Sequence, residues 1–284
     1  MLITPFDPWK SKLCTCPQKF SLSAYVGCSH NCLYCYASSY IRNFFSVRAK
    51  KDFLERLKRE INKLPEDIYI AIANSSDPYL HLEKRLKLTQ KTLKILKEYR
   101  KIKVMLVTKS SLILRDLFLL KGFSHIIVSI SLTTLDEKLA QKLEPCASPV
   151  RDRLKTIEKL SQFIPVVCRI DPLIYPLTTK EIKKTVKEIK ERGAQQIIVS
   201  TYKVRRDNLR RMIRGFPQYK ELWYRLYFKE GERMGGYFYL SFSLRKKIVE
   251  EVRDICLREK IDFSSCRENL AYLNTKICDG SSFF

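Results

Sequence analysis

Three cysteines within one short stretch are the part of this sequence best suited to chemistry. They stand in Cys28-Ser29-His30-Asn31-Cys32-Leu33-Tyr34-Cys35-Tyr36, spaced C-x3-C-x2-C. Three thiolates so close together can hold one metal centre. Structural zinc would want a fourth ligand nearby, and the spacing of His30 suits none of the usual zinc patterns. A four-iron, four-sulfur cluster can be held at three irons with the fourth left open, and an open position is what a reactive metal centre needs. A second set of thiols is dispersed. Cys14 and Cys16 precede the loop, Cys266 and Cys278 lie in the tail, and all four flank polar turns. Together they suit an auxiliary iron–sulfur cluster or a zinc, with independent buried thiols as the plain alternative. Cys168 and Cys256 fall in apolar patterns and read as core. Cys146, between Pro145 and Ala147, reads as an inert loop cysteine or a hydrogen donor near the mouth.

The elements that must position these residues alternate. Apolar, β-branched runs at 21–26, 68–73, 103–108, 125–131, 165–170 and 195–200 are separated by helical patterns at 52–63, 86–99, 112–120, 151–163 and 179–192. Such repeats predict a parallel sheet and an α/β fold, a partial (β/α)6 barrel. In that architecture function gathers at the C-terminal ends of the strands. The polar phrases fall there: Asn74-Ser75-Ser76-Asp77-Pro78, Thr108-Lys109-Ser110, Ser129 to Thr133, Arg169 to Pro172 and Ser200-Thr201. Beyond Thr201 the pattern changes to a basic, aromatic stretch, a helix at 244–260 and a tail, with no flexible linker. The expected division is therefore a barrel with an N-terminal cysteine pair over 1–201, and an extension packed on it over 202–284.

Composition narrows the class. With 284 residues, 45% of them hydrophobic, the chain is neither disordered nor a coiled coil. Its apolar runs are too short to span a bilayer, and residues 1–10 carry no secretory signal core, so a cytoplasmic location without membrane contact is expected. Ten cysteines in a reducing compartment point to metal or catalysis rather than disulfides. A formal charge of +24 is the footprint of a protein that meets a polyanion, or of basic residues spread over solvated helix faces. Lys203, Arg205, Arg206, Arg210, Arg211 and Arg214 precede Tyr219, Trp223, Tyr224 and Tyr227. Phosphate contacts with base stacking are one reading of that segment; a helix with a basic solvated face and an aromatic core face is the other.

The cysteine motif, closing the first strand of a β/α repeat with an aromatic before its last cysteine, resembles the radical S-adenosylmethionine superfamily. The resemblance implies a 4Fe-4S cluster on Cys28, Cys32 and Cys35 whose open iron chelates the methionine end of S-adenosylmethionine. It implies reductive cleavage to a 5′-deoxyadenosyl radical that abstracts a substrate hydrogen, with a reductase or ferredoxin as electron donor. Residues 21–36, 72–89, 107–120, 128–145 and 167–172 resemble the branch that contains spore photoproduct lyase. The tail phrases at 231–237, 266–268 and 278–281 resemble that branch's other members rather than the lyase. Carried over, the cofactor contacts fall on Ser76, Lys109 and Ser129, the backbone near Tyr34 meets the adenine, and Tyr34 and Tyr36 are the catalytic candidates. One departure stands out. The lyase carries a hydrogen-donating cysteine after its second strand, where this chain reads Asn74-Ser75-Ser76-Asp77, so thymine-dimer repair is not expected. The expected substrate is a nucleic acid, DNA or RNA, that is repaired or modified. The alternatives are the same chemistry on a protein or small metabolite, and a nucleic-acid-binding protein with structural metal only.

Overall fold

The computed structural model describes residues 1–6, 11, 13–72 and 75–284. Eight strands lie side by side in chain order: β1 (Thr4–Pro5), β2 (Phe20–Leu22), β3 (Tyr69–Ile72), β4 (Lys103–Thr108), β5 (Ile126–Ser131), β6 (Val166–Leu173), β7 (Gln196–Thr201) and β8 (Asp262–Ser265). From β2 to β8 every pairing is parallel, and β1 runs antiparallel to β2. Among the described residues β1 and β8 do not pair, so the sheet curls without closing. The longer helices are α1 (Phe53–Ile61), α2 (Leu88–Lys97), α3 (Val150–Ser161), α4 (Ile182–Glu191), α5 (Arg206–Gly215) and α6 (Phe242–Arg258).

Two periodicities make this arrangement. In α4, Ile182, Val186 and Ile189 recur along one helical face and are buried, while the lysines between them stay in water. In β5, alternate residues face opposite ways. Val128 and Ile130 join the outer core with Ile157 and Leu160 of α3, whereas Ile127 packs inside the barrel with Val167 and Ile198. The interior is stoppered by the chain's own end. Phe284 packs on Tyr69 and Met105, and Phe283 on the Ile127 group. Gly280 admits this close approach: its φ is +84°, and a Cβ there would lie 3.1 Å from Val167.

The structure extends the expected sheet from six parallel strands to seven, with β1 added at one edge. The seventh, β8, comes from the 202–284 segment, which therefore completes the barrel as well as packing on it. Its sequence Asp-Phe-Ser-Ser is short and polar at three of four positions, so it lacks a strand's apolar signature. It is buried because Ser264 takes partners, Gln196 Nε2 at 2.5 Å and the Lys276 carbonyl at 2.6 Å. The run expected at 21–26 is split: Tyr25–Val26 leaves the sheet and pairs with Arg48–Ala49. The helix expected at 112–120 is a 3-10 turn, Ser111–Asp116, followed by Leu117–Leu120. Ala73 and Asn74, the end of the second expected strand and the start of the polar phrase after it, lie outside the described residues. No helix among the described residues is long and apolar enough to cross a membrane.

Candidate active site in the open barrel

The cysteine loop is entered through Gly27, where φ is +85° and a Cβ would sit 2.3 Å from the Phe44 carbonyl oxygen. A side chain there would close the turn that lets the Cys28 N–H donate to that carbonyl at 2.8 Å. The Cys35 N–H donates to Cys32 O, and the Leu33 N–H to Leu143 O. Three further loop carbonyls are taken by α5. Arg211 donates through Nε to Leu33 O at 3.1 Å and through Nη2 to Cys35 O at 2.6 Å, and Asn208 Nδ2 donates to Tyr34 O at 2.9 Å. Asp207 accepts from the Ser38 and Ser39 hydroxyls and from Arg211. Burial raises all three thiols, Cys28 to about 12, so they are protonated until a metal displaces the protons.

The loop forms one wall of a cavity of about 460 Å3 at the C-terminal ends of the strands. Tyr34, Cys35 and Tyr36 line it from the loop; Lys109, Ser131, Arg169, Asp171 and Lys203 line it from strand ends; Cys14, Cys16, Cys266 and Arg267 line it from the chain's two ends. Its charges are paired and held in place. Burial would push Glu144 up, but the Arg153 guanidinium at 2.6 Å, Lys109, and the hydroxyls of Tyr34 and Thr133 bring it to about 2. Burial works against the charge on Lys109, and Glu144 foremost, with Asp171, opposes it, so the ammonium persists. Asp171 is held low against burial by Arg169 at 3.2 Å, Lys203 and Lys109. Lys203 in turn pairs with buried Glu268 at 3.2 Å.

The sequence expectations meet this geometry unevenly. Lys109 reaches the cavity. Ser76 sits one position from Ser75, and Ser129 two positions from Ser131, the two serines that line it. The Ser76 hydroxyl lies 3.1 Å from Ser23 Oγ, and that of Ser129 is buried without a partner. Tyr34 presents its ring to the cavity while its hydroxyl is bound to Glu144. Tyr36 packs edge-on against Tyr237, centroids 5.2 Å apart. Cys14, Cys16, Cys266 and Cys278 are brought together, with Cys16 Sγ 3.5 Å from Cys278 Sγ. Among the described residues, no three Cys, His, Asp or Glu side chains already converge in metal-holding geometry, neither the loop trio nor the Cys14, Cys16, Cys266 and Cys278 group. The chemistry of that trio, three thiols on one buried loop, fits a cluster whose irons occupy separate corners. Cys168 and Cys256 are core; Cys146 is exposed, its N–H bonded to His30 O beside the loop.

The basic, aromatic segment divides between core and surface. Trp223 is fully buried with Nε1 bonded to Tyr175 O, Tyr227 is buried, and Tyr219 stacks on Trp223. Arg211 holds the cysteine loop and Lys203 is paired. Arg206, Arg210 and Arg214, one turn apart on α5, keep their charges in water. The solvated basic face lies on α5, the buried aromatics follow in the next turns, and Tyr224 stays exposed. Asp77 was the least expected contributor. It accepts from the Thr108 hydroxyl and the Lys109 N–H at 2.7 Å and from the Tyr79 N–H at 2.8 Å, and it lies 3.1 Å from His30 Nε2. One carboxylate thus ties the cysteine loop to the ends of two strands. His30 and these donors hold it below the usual carboxylate range despite burial. Its sequence signal, an Asp in a strand-end phrase, also fits a helix cap.

An open parallel β/α barrel with a three-cysteine loop after its first parallel strand defines a protein built to present a thiolate-held centre to a cavity. The sequence profile of the Radical SAM superfamily matches residues 22–189, more than half of the chain, and the chain belongs to that superfamily. Two curated relatives are the uncharacterized protein MJ0683 of Methanocaldococcus jannaschii, 29% identical over 148 residues, and the uncharacterized protein ORF301 of Acidianus two-tailed virus, 26% identical over 202 residues. These matches cover 50% and 63% of this chain, and it spans 55% and 65% of theirs. Among solved structures, spore photoproduct lyase complexed with dinucleoside spore photoproduct is similar with a TM-score of 0.64 at 15% identity, over 87% of this chain and 75% of that one. The Streptococcus suis protein SuiB bound to precursor peptide SuiA is similar with a TM-score of 0.57 at 19% identity, over 89% of this chain and 50% of that one. At these identities the likeness is one of fold.

Proposed function

We propose that this chain is a radical S-adenosylmethionine enzyme that holds a 4Fe-4S cluster on Cys28, Cys32 and Cys35 and modifies or repairs a nucleic acid. The observation that carries the reading is that the cysteine loop and a set of fixed strand-end cations line one cavity. When bound, the cluster supplies the electron that cleaves S-adenosylmethionine to a 5′-deoxyadenosyl radical, drawn from a ferredoxin or reductase. The chain's own residues do the rest. Lys109, kept charged by Glu144, pairs with the methionine carboxylate. Ser75 and Ser131 offer hydroxyls at the cavity, with Ser129 below Ser131 on the same strand face and Ser76 bonded to Ser23. Tyr36 and the Lys203–Arg267 side of the cavity receive the substrate, and Arg206, Arg210 and Arg214 attract its backbone from solvent. Thymine-dimer repair is not proposed, because the Ser75-Ser76 turn supplies no thiol.

Anaerobic reconstitution followed by assay of 5′-deoxyadenosine with a reductant tests the chemistry. Salt-dependent binding to RNA and DNA, with mass spectrometry of tRNA, rRNA and DNA from a strain lacking the gene, tests the substrate class. No 5′-deoxyadenosine would overturn the enzymatic reading. Salt-independent or absent binding, with unchanged nucleic acids, would instead favour a protein or small-metabolite substrate.

A further inference from the structure

We infer that Cys14, Cys16, Cys266 and Cys278 form a second metal site, a four-thiolate centre for one tetrahedral ion of the zinc type, set in the wall of the same cavity. The fold brings these thiols together from opposite ends of the chain. Residues 14–16 lead into β2 at one side of the sheet, Cys266 ends β8 at the other, and Cys278 comes from the tail that stoppers the interior. Cys16 and Cys278 stand 3.5 Å apart, sulfur to sulfur. That is well outside a disulfide bond, at ~2.05 Å. It is close to the edge of a tetrahedron of sulfurs around zinc, about 3.8 Å for Zn–S bonds of ~2.3 Å. Thiolates on different irons of a cubane must stand further apart than one edge allows.

The outer two thiols continue the contact: Cys14 interacts with Cys16, and Cys266 with Cys278. The four therefore run as a chain, 14–16–278–266, around a central pair. Closing it into a tetrahedron requires side-chain rotation at Cys14 and Cys266, both half-buried at the cavity edge. Binding releases the thiol protons, and a divalent ion with four thiolates carries a net charge of −2. Lys19 and Arg169 are the cations that face it, although each already has a carboxylate, Asp279 and Asp171. A soft, four-coordinate ion suits an all-sulfur set.

Position gives the site its meaning. Cys14, Cys16 and Cys266 line the cavity together with Cys35 and Lys109. The centre would thus fix the N-terminal segment, the end of β8 and the tail around the substrate space, rather than staple a remote surface. This inference does not depend on the radical chemistry, because none of its ligands belongs to the cysteine loop.

The test uses the full chain lacking the loop thiols, Cys28→Ala/Cys32→Ala/Cys35→Ala, loaded with zinc, desalted and analysed for metal and sulfide. About one zinc per chain is expected, falling to none when Cys278→Ser is added. No retained zinc, or zinc retained after Cys278→Ser, overturns the site; iron with acid-labile sulfide overturns its single-ion form. Should these variants fail to fold, the wild-type chain answers the question through alkylation mapped by mass spectrometry. Zinc is expected to slow alkylation of Cys14, Cys16, Cys266 and Cys278 at least tenfold and to leave exposed Cys146 unchanged. Equal rates with and without zinc, or a Cys16–Cys278 disulfide in anaerobically isolated protein, overturn it.

Discussion

Replacing Glu144 by Gln tests whether the cavity's electrostatics are fixed from beneath the cysteine loop. Glu144 is completely buried and accepts from Arg153 Nη1 at 2.6 Å, from the Thr133 hydroxyl at 2.8 Å and from Tyr34. Its carboxyl titrates at about 2 against an ordinary 4.5. That gap corresponds to roughly 3 kcal/mol of folding stability. An independent estimate agrees: removing one partner of a buried ion pair costs about 3–5 kcal/mol, because the other charge is left uncompensated. Arg153 keeps its bonds to the Ser131 and Ser148 carbonyls, but these carry no charge. The sign follows from the lowered carboxyl. The stabilisation is full above the unfolded value of 4.5 and is lost as pH falls from there towards 2. Equilibrium urea unfolding of the reduced chain by circular dichroism, from pH 7 to pH 3, should show a difference between wild type and Glu144→Gln of about 3 kcal/mol at neutrality that shrinks in acid. The double variant Glu144→Gln/Arg153→Met should lose less than the sum of the single losses. A loss under ~1 kcal/mol, or one that does not change with pH, would refute the assignment of Glu144 as the buried anchor.

Three further outcomes are expected. Cys28→Ala, Cys32→Ala and Cys35→Ala should each abolish 5′-deoxyadenosine formation while circular dichroism shows the fold retained. Lys109→Ala should weaken S-adenosylmethionine binding at least tenfold, measured by equilibrium dialysis, and leave the cluster's visible absorption intact. Arg211→Ala removes two charge-assisted bonds to loop carbonyls, about 1.5–3 kcal/mol each at most. It should speed loss of cluster absorption to a chelator, which Arg210→Ala, on the solvated face, should not.

The sequence carried the barrel and the loop clearly because both rest on local patterns. Ile182, Val186 and Ile189 announce a helix by spacing, and Cys28, Cys32 and Cys35 announce a metal loop by theirs. What it did not carry depends on long-range pairing. Strand β8 is recognisable only once Gln196 is beside Ser264. Asp77 reads as a helix cap until Lys109 and His30 are beside it. Which of two serines reaches the cavity was likewise hidden. Ser129 and Ser131 share a strand face, so alternation alone cannot say which one reaches the cavity and which lies below it. Composition was least decisive in the 203–227 segment, where Arg211 holds the loop and Trp223 is core while Arg206, Arg210, Arg214 and Tyr224 face water.

The segment beyond residue 189, outside the superfamily match, supplies one side of the cavity. Lys203, Cys266 and Arg267 line it, and Glu268 organises that side. Glu268 accepts from the Thr201 N–H at 2.8 Å, the Thr201 hydroxyl at 2.9 Å and Lys203 Nζ at 3.2 Å, with Arg245 nearby at 3.6 Å. The match region holds the cysteine loop and Lys109, and this later segment holds the Lys203–Glu268 side of the cavity. Glu268→Gln separates the two. It leaves Lys203 buried without its carboxylate. Burial already works against that ammonium and Glu268 is the main force opposing it, so the lysine's charge is lost more readily. Substrate binding should fall and grow sensitive to rising pH, whereas cluster absorption and substrate-independent 5′-deoxyadenosine formation should persist, since Glu268 bonds to no residue of the cysteine loop. Loss of cluster absorption in Glu268→Gln, with the circular dichroism of the chain unchanged, would show that the two halves are not separable and that the later segment serves the cluster itself.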